Sequence, residues 1–297
     1  MKTLYIIGNG FDKAHGLPTG YEHFMDWLQR SQFHKAADFA VEMDGLSQND
    51  IRLWYNFEEA LGCFDLEKFI DSRNEEYADL DMTDPDNWGK QAAAFYAGIK
   101  YFDEDHYNEL IEAFRAWAHR IDTSMTNPKY KKFAMNDNYF FTFNYTDTLE
   151  QVYHVPQDRI LHIHGYAADP QSIIEVGHDH DYCDDRDKVF DILEAKVPAD
   201  GGDSCDMLIE MLNSSIKPIK EIIKRYSEYF KDLTQKGIEK IVVQGHGYGE
   251  IDWPYFKKIK DVCPNAQWEL TWYSPQDKKN AQKIDRDLGL NAIIKEV

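Results

Sequence analysis

The pattern of the chain predicts an α/β fold: a mainly parallel, Rossmann-like sheet with helices on both faces and a large helical insertion. Three observations predict it. Short apolar runs recur and stop abruptly at glycine or asparagine, helical patterns follow those stops, and the stretch from about residue 33 to about residue 121 is helical almost throughout.

The first strand is Leu4 to Ile7, which runs into Gly8-Asn9-Gly10-Phe11-Asp12. Tyr21 to Arg30 then reads as a helix, with Phe24, Trp27 and Leu28 on one face. The helical stretch that follows is broken by the acidic, proline-containing segment Asp79 to Asn87, and Leu110, Ile111, Phe114, Trp117, Ala118 and Ile121 trace an apolar stripe along its last helix. Further strands are expected to end near Phe143, Ile163, Val243 and Tyr273, with another at Ala292 to Ile294. Helices are expected over Asp206 to Leu233, Pro254 to Lys260 and Gln276 to Leu288. The organisation expected is therefore a nucleotide-binding core of residues 1–32 and 133–297, interrupted by a helical insertion of residues 33–132.

Composition narrows the classes of function. With 297 residues, 43% of them apolar and 14% aromatic, the chain can bury a substantial core. Lysine and arginine number 33 against 53 aspartates and glutamates, so the net charge of -20 argues against broad nucleic-acid binding. No stretch approaches the roughly 20 apolar residues of a membrane helix. The start shows no signal-peptide pattern, so a cytoplasmic protein is expected. Cys63, Cys183, Cys205 and Cys263 form no C-x-x-C pair, which argues against a structural zinc site. The helical insertion is available for self-association or for covering a pocket.

The strand ends carry the candidate chemistry. A strand that breaks into two closely spaced glycines leaves backbone N–H groups uncommitted and admits a ligand close to the main chain, which suits a phosphate. The third glycine of the dinucleotide fingerprint is replaced by Lys13, so that turn alone is a weak signal. Asn144 and His164 end two further strands, and in an open parallel sheet ligands gather at the carboxyl ends of strands. An asparagine amide both donates and accepts, so Asn144 suits ribose hydroxyls or water, while a histidine near a ribose can accept a proton. His162, two positions before His164 on a strand, is expected on the same face. Gly245, His246, Gly247, Tyr248 and Gly249 follow the strand Ile241 to Val243, where backbone can approach the adenosine half of a dinucleotide, and Asp252 is placed to cap the helix that Pro254 begins.

The opening from Gly8 to Pro18 resembles the Gly-x-Gly-x-x-x-x-x-Gly-x-Pro start of sirtuin-like NAD-binding domains. Thr142-Phe143-Asn144-Tyr145 with Asp147-Thr148-Leu149-Glu150 is similar to their Thr-x-Asn-x-Asp-x-Leu-Glu segment, with Thr146 as one extra residue, and Ile163-His164-Gly165 is similar to their catalytic His-Gly motif. Taken with Gly245 to Asp252, and with the segment containing Trp54, Phe57 and Glu58, the chain most resembles the AbiH family of abortive-infection proteins. This resemblance implies an anti-phage protein that hydrolyses NAD at the nicotinamide–ribose bond without a metal, with Asn144 and His164 catalytic. It further implies that Gly8, Asn9, Gly10, Phe11, Asp12, Pro18, Thr142, His162, Gly245, His246 and Tyr248 contact the dinucleotide, as substrate or ligand.

Two rival readings stand beside it. His178-Asp179-His180-Asp181 alternates ligand types and, with His162 and His164, suggests a metal-dependent nuclease or phosphohydrolase. Alternatively, the same glycines and Asn144 serve a non-catalytic module that binds a nucleotide and signals.

Overall fold

The computed structural model describes residues 1–46, 58, 61–62, 65–75, 83–101, 104–130, 133, 138–197 and 204–297. They form two compact units. One comprises Met1–His23, Arg115–Glu175 and Pro218–Val297; the other comprises Phe24–Phe114 and Val176–Lys217. Residues 24–32 and 176–217, which the sequence pattern groups with the core, thus fall in the second unit.

The first unit contains a six-stranded sheet. The described elements of the whole chain begin, in order, with β1 (Thr3–Ile7) and α1 (Asn9–Ala14), after which α2 (Tyr21–Leu28) leads into α3 (His34–Leu46), α4 (Leu66–Glu75), α5 (Pro85–Tyr101) and α6 (Glu104–His119). Then come β2 (Asn138–Thr142), α7 (Thr148–Tyr153), β3 (Ile160–His162), α8 (Arg186–Lys196), α9 (Cys205–Asn213), α10 (Ile219–Arg225) and α11 (Ser227–Lys236). β4 (Lys240–Gln244), α12 (Trp253–Val262), β5 (Gln267–Trp272), α13 (Pro275–Leu288) and β6 (Ile293–Glu296) complete the order. The strand order is β3-β2-β1-β4-β5-β6 and every pairing is parallel. This is the doubly wound order, whose direction reverses between β1 and β4.

Both faces of the sheet are covered, as parallel strands require. Leu4, Ile6, Phe141, Leu161, Ile241 and Val243 pack on one side with Ile222, Phe230, Tyr255, Phe256 and Ile259 of the helices α10 to α12. Tyr5, Ile7, Phe140 and Val242 pack on the other with Phe11, Phe133, Leu149, Val152 and Tyr153. The alternation along β1 is therefore apolar on both faces. Sharp boundaries come from local chemistry: Ser274 and Asp277 form a capping box ahead of α13, Pro275 stands in its first turn, and Gly289 closes it in the left-handed region.

The single helix expected over Asp206 to Leu233 is three helices. α9 stops at Asn213 because Lys217 N–H donates to the His178 carbonyl and Ile216 bridges His178, and Pro218 then offers no N–H to continue it. Helix α5 begins at Pro85, inside the segment expected to break the helical pattern, since proline suits the first helical position. In the second unit, Phe24, Leu28, Phe69, Phe95, Leu110, Phe114, Val189 and Leu193 are buried, and the rings of Phe24 and Phe114 meet edge-on at 5.2 Å. Among the described residues, no helix is long and apolar enough to cross a membrane.

Candidate active site

Strand register brings the polar strand ends to one rim. Ile7 of β1 pairs with Thr142 of β2 and Gln244 of β4, and Thr142 pairs with His162 of β3, so four strands stop in one row. The first turn, however, is not an open cradle. Gly10 N–H donates to the Gly245 carbonyl at 2.7 Å, and Gly8 N–H donates to the Gln244 carbonyl. A Cβ on Gly8 would lie 2.7 Å from His246 Cα, and one on Gly245 would lie 2.2 Å from Phe11 N. The glycines let two loops touch each other at the point where strand order reverses. Of the neighbouring residues, Asn9 donates its amide to the Thr19 carbonyl at 2.7 Å, Phe11 is a core residue stacked on Phe133 and Tyr130, and Pro18 is exposed.

One strand over, the rim encloses a buried polar group. Asp12 is 1% exposed, and its Oδ2 accepts from the Thr146 hydroxyl at 2.6 Å, while Thr146 and Thr148 share a hydrogen bond of 3.1 Å. Burial pushes the Asp12 carboxyl up to about 6, against the opposing pull of Thr146, Thr148, His162 and Asn144. Asn144 is 7% exposed and hangs beside that carboxyl, yet neither its Oδ1 nor its Nδ2 has a partner in hydrogen-bond geometry. Asp12 Oδ1 is likewise buried and unpartnered. The Thr142 hydroxyl accepts from Asn144 N–H at 3.0 Å and so fixes the backbone that carries the amide. Asp147, the N-cap position of α7, instead takes the Thr123 hydroxyl at 2.6 Å.

His162 ties this group together. Its Nδ1 lies 2.9 Å from the Asn144 carbonyl and its Nε2 lies 2.9 Å from Glu150 Oε1, with the Tyr166 ring stacked on it at 4.5 Å. Burial, then the charges of Glu150, Asp147 and Asp169, push the Tyr166 hydroxyl up to about 12. Glu150 Oε2 is buried without a partner.

His164 does not share His162's face. Strand β3 ends at His162, so Ile163 and His164 lie in a turn and the two-residue alternation no longer applies. The His164 ring packs against Phe143 and Tyr255, and its Nε2 lies 3.9 Å from Asp252 Oδ1. Asp252 also accepts from His246 Nε2 at 3.1 Å, because Tyr248 N–H occupies His246 Nδ1 at 2.8 Å. The Asp252 carboxylate makes no cap bond to α12, contrary to the expected capping role, since the two imidazoles draw it away. Tyr248 itself is 2% exposed with φ of 60°.

Comparison with protein families fits this arrangement. The family model described as bacteriophage abortive infection AbiH matches residues 4–272, spanning every strand end described above. The chain belongs to the AbiH family. Among curated proteins and among solved structures, no significant match was found. Anti-phage abortive infection is thus the role that the family supports.

Other singled-out positions of this AbiH protein belong to the second unit. His178 uses both ring nitrogens within the protein: Nδ1 accepts from His180 N–H and Nε2 meets the Leu212 carbonyl at 3.2 Å. His180 pairs with Asp185 at 2.7 Å, and no group of three or more His, Cys, Asp or Glu among the described residues is arranged to hold a metal ion. Glu58 forms an ion pair with the fully buried Lys217, whereas Trp54 and Phe57 lie outside the described residues. Sequence reasoning did not single out Glu150, Thr146 or Thr148 for chemistry. Their signals were the resemblance of this segment to the Thr-x-Asn-x-Asp-x-Leu-Glu motif and their position within six residues after Asn144, where a strand end turns into a helix.

Proposed function

We propose that this protein hydrolyses NAD at the nicotinamide–ribose bond in the polar group around Asp12 and Asn144. The single observation that carries this reading is the Asn144 amide, buried at the rim of a parallel sheet beside the Asp12 carboxyl, with neither of its polar atoms in good hydrogen-bond geometry. A buried amide without partners costs free energy comparable to lost hydrogen bonds, and a ligand bearing hydroxyls repays it. Departure of nicotinamide leaves positive character on the ribose, which the Asp12 and Glu150 carboxylates stabilise, while Asn144 fixes the ribose hydroxyls or the attacking water. The chemistry needs no metal ligand set. Because the Gly10 N–H is already taken by Gly245, this reading assigns recognition to the ribose end of the substrate rather than to a phosphate in the first turn.

The test is nicotinamide release from NAD by wild type, Asn144→Ala and His164→Ala, each with and without a chelator. The reading expects release by wild type, loss in Asn144→Ala by at least about 100-fold, and no effect of the chelator. Chelator-sensitive cleavage of RNA or DNA with NAD left intact would select the metal-dependent rival. Saturable NAD binding without release would select the signalling module.

A further inference from the structure

We propose that Glu150 is the base that takes the proton from the attacking water, held for that task by His162. The inference rests on the NAD-cleavage reading above and deepens it. Glu150 stands in the first turn of α7, and its side chain is 12% exposed. The His162 ring spans the Asn144 carbonyl and Glu150 Oε1, each at 2.9 Å, and is locked by these two contacts and the stacked Tyr166. Glu150 Oε1 is thereby occupied. Its Oε2 is buried and unpartnered, a strong acceptor with nothing to accept from.

A second, independent observation points to a ligand at the same place. The histidine that grips Glu150 also hangs on the carbonyl of Asn144, whose amide is more than nine-tenths buried and unpartnered. In the proposed step a water O–H bond breaks and the oxygen bonds to C1′ of the ribose. The C1′–N bond breaks with its electron pair going to the pyridinium nitrogen, which leaves as neutral nicotinamide. The proton passes to Glu150 Oε2. Solvent later receives it, so the sum is NAD plus water giving ADP-ribose, nicotinamide and a proton.

Nicotinamide release by wild type, Glu150→Gln and Glu150→Ala, with and without added formate, tests this. Gln keeps an oxygen for the His162 N–H but cannot take a proton, so kcat falls by about 100-fold or more while KM moves by less than about threefold. In Glu150→Ala the loss is similar, and formate, a small diffusible carboxylate, restores about tenfold of it while leaving Asn144→Ala unrestored. A purely structural role would not produce that rescue. Wild-type kcat in Glu150→Gln, or an Ala variant that formate leaves unchanged, overturns the assignment to Glu150 alone. No release by wild type overturns the cleavage reading and this inference together. Should Glu150→Gln fold poorly, the formate response of Glu150→Ala decides.

Discussion

Asp12 is a residue whose burial costs stability. Its carboxyl rises from an ordinary 3.8 to about 6, so the folded chain holds the proton more tightly than the unfolded chain. Folding is consequently disfavoured as pH rises from about 4 through about 6, by about 3 kcal/mol once the group is ionised in both states. Asp12→Asn removes that penalty and can still accept from Thr146. Urea unfolding should show Asp12→Asn gaining on wild type, with a gain that grows by about 1 kcal/mol between pH 5 and pH 8; a gain independent of pH would contradict the assignment. Under the proposed cleavage of NAD, the same ionisation sets the rate. Cleavage should rise between pH 5 and pH 7 in wild type as the carboxylate forms, and Asp12→Asn should lose that rise. In the sequence Asp12 reads as a dinucleotide contact in the first turn, not as a buried carboxyl. Its isolation from water depends on Thr146, 134 residues away, so burial was not legible there.

At the scale of elements, the touching of two loops is the feature with the clearest energetic consequence. Gly245 has φ of 67° and no room for a Cβ, whereas Gly289, at φ of 59°, has only the end of Lys260 at 3.6 Å. Gly289→Ala should therefore lower stability by about 1 kcal/mol, the cost of a left-handed alanine, and Gly245→Ala by about 2 kcal/mol more, because backbone must also move. Equal losses in thermal or urea unfolding would show that the loops do not press on each other. The strands ending at Ile7, Thr142 and Gln244 were legible because aromatic and branched runs stop at glycine or asparagine. What glycine's freedom served was not, since a turn open to phosphate and a turn pressed by a neighbouring loop need the same residue. The split of His162 from His164 was hidden for a related reason: alternation holds only while the strand lasts, and β3 stops after three residues.

At the scale of the whole molecule, the parallel α/β architecture was readable from the alternation of runs, and family membership from the motifs at the strand ends. The grouping of Val176–Lys217 with the helical unit was not, because it is set by contacts remote in sequence, such as that between Lys217 and Glu58. With 53 acidic against 33 basic side chains, self-repulsion opposes the folded state, and raising salt from about 0.05 M to about 0.5 M should raise the unfolding temperature. A decrease would mean that attractive pairs outweigh the net charge. The central claim is that the ligand sits where β1, β2 and β3 end. Amide hydrogen exchange with and without ADP-ribose tests it most directly. The account predicts slowed exchange in residues 8–16, 142–150 and 162–166, and protection confined to residues 177–185, or none at saturating ligand, would contradict it.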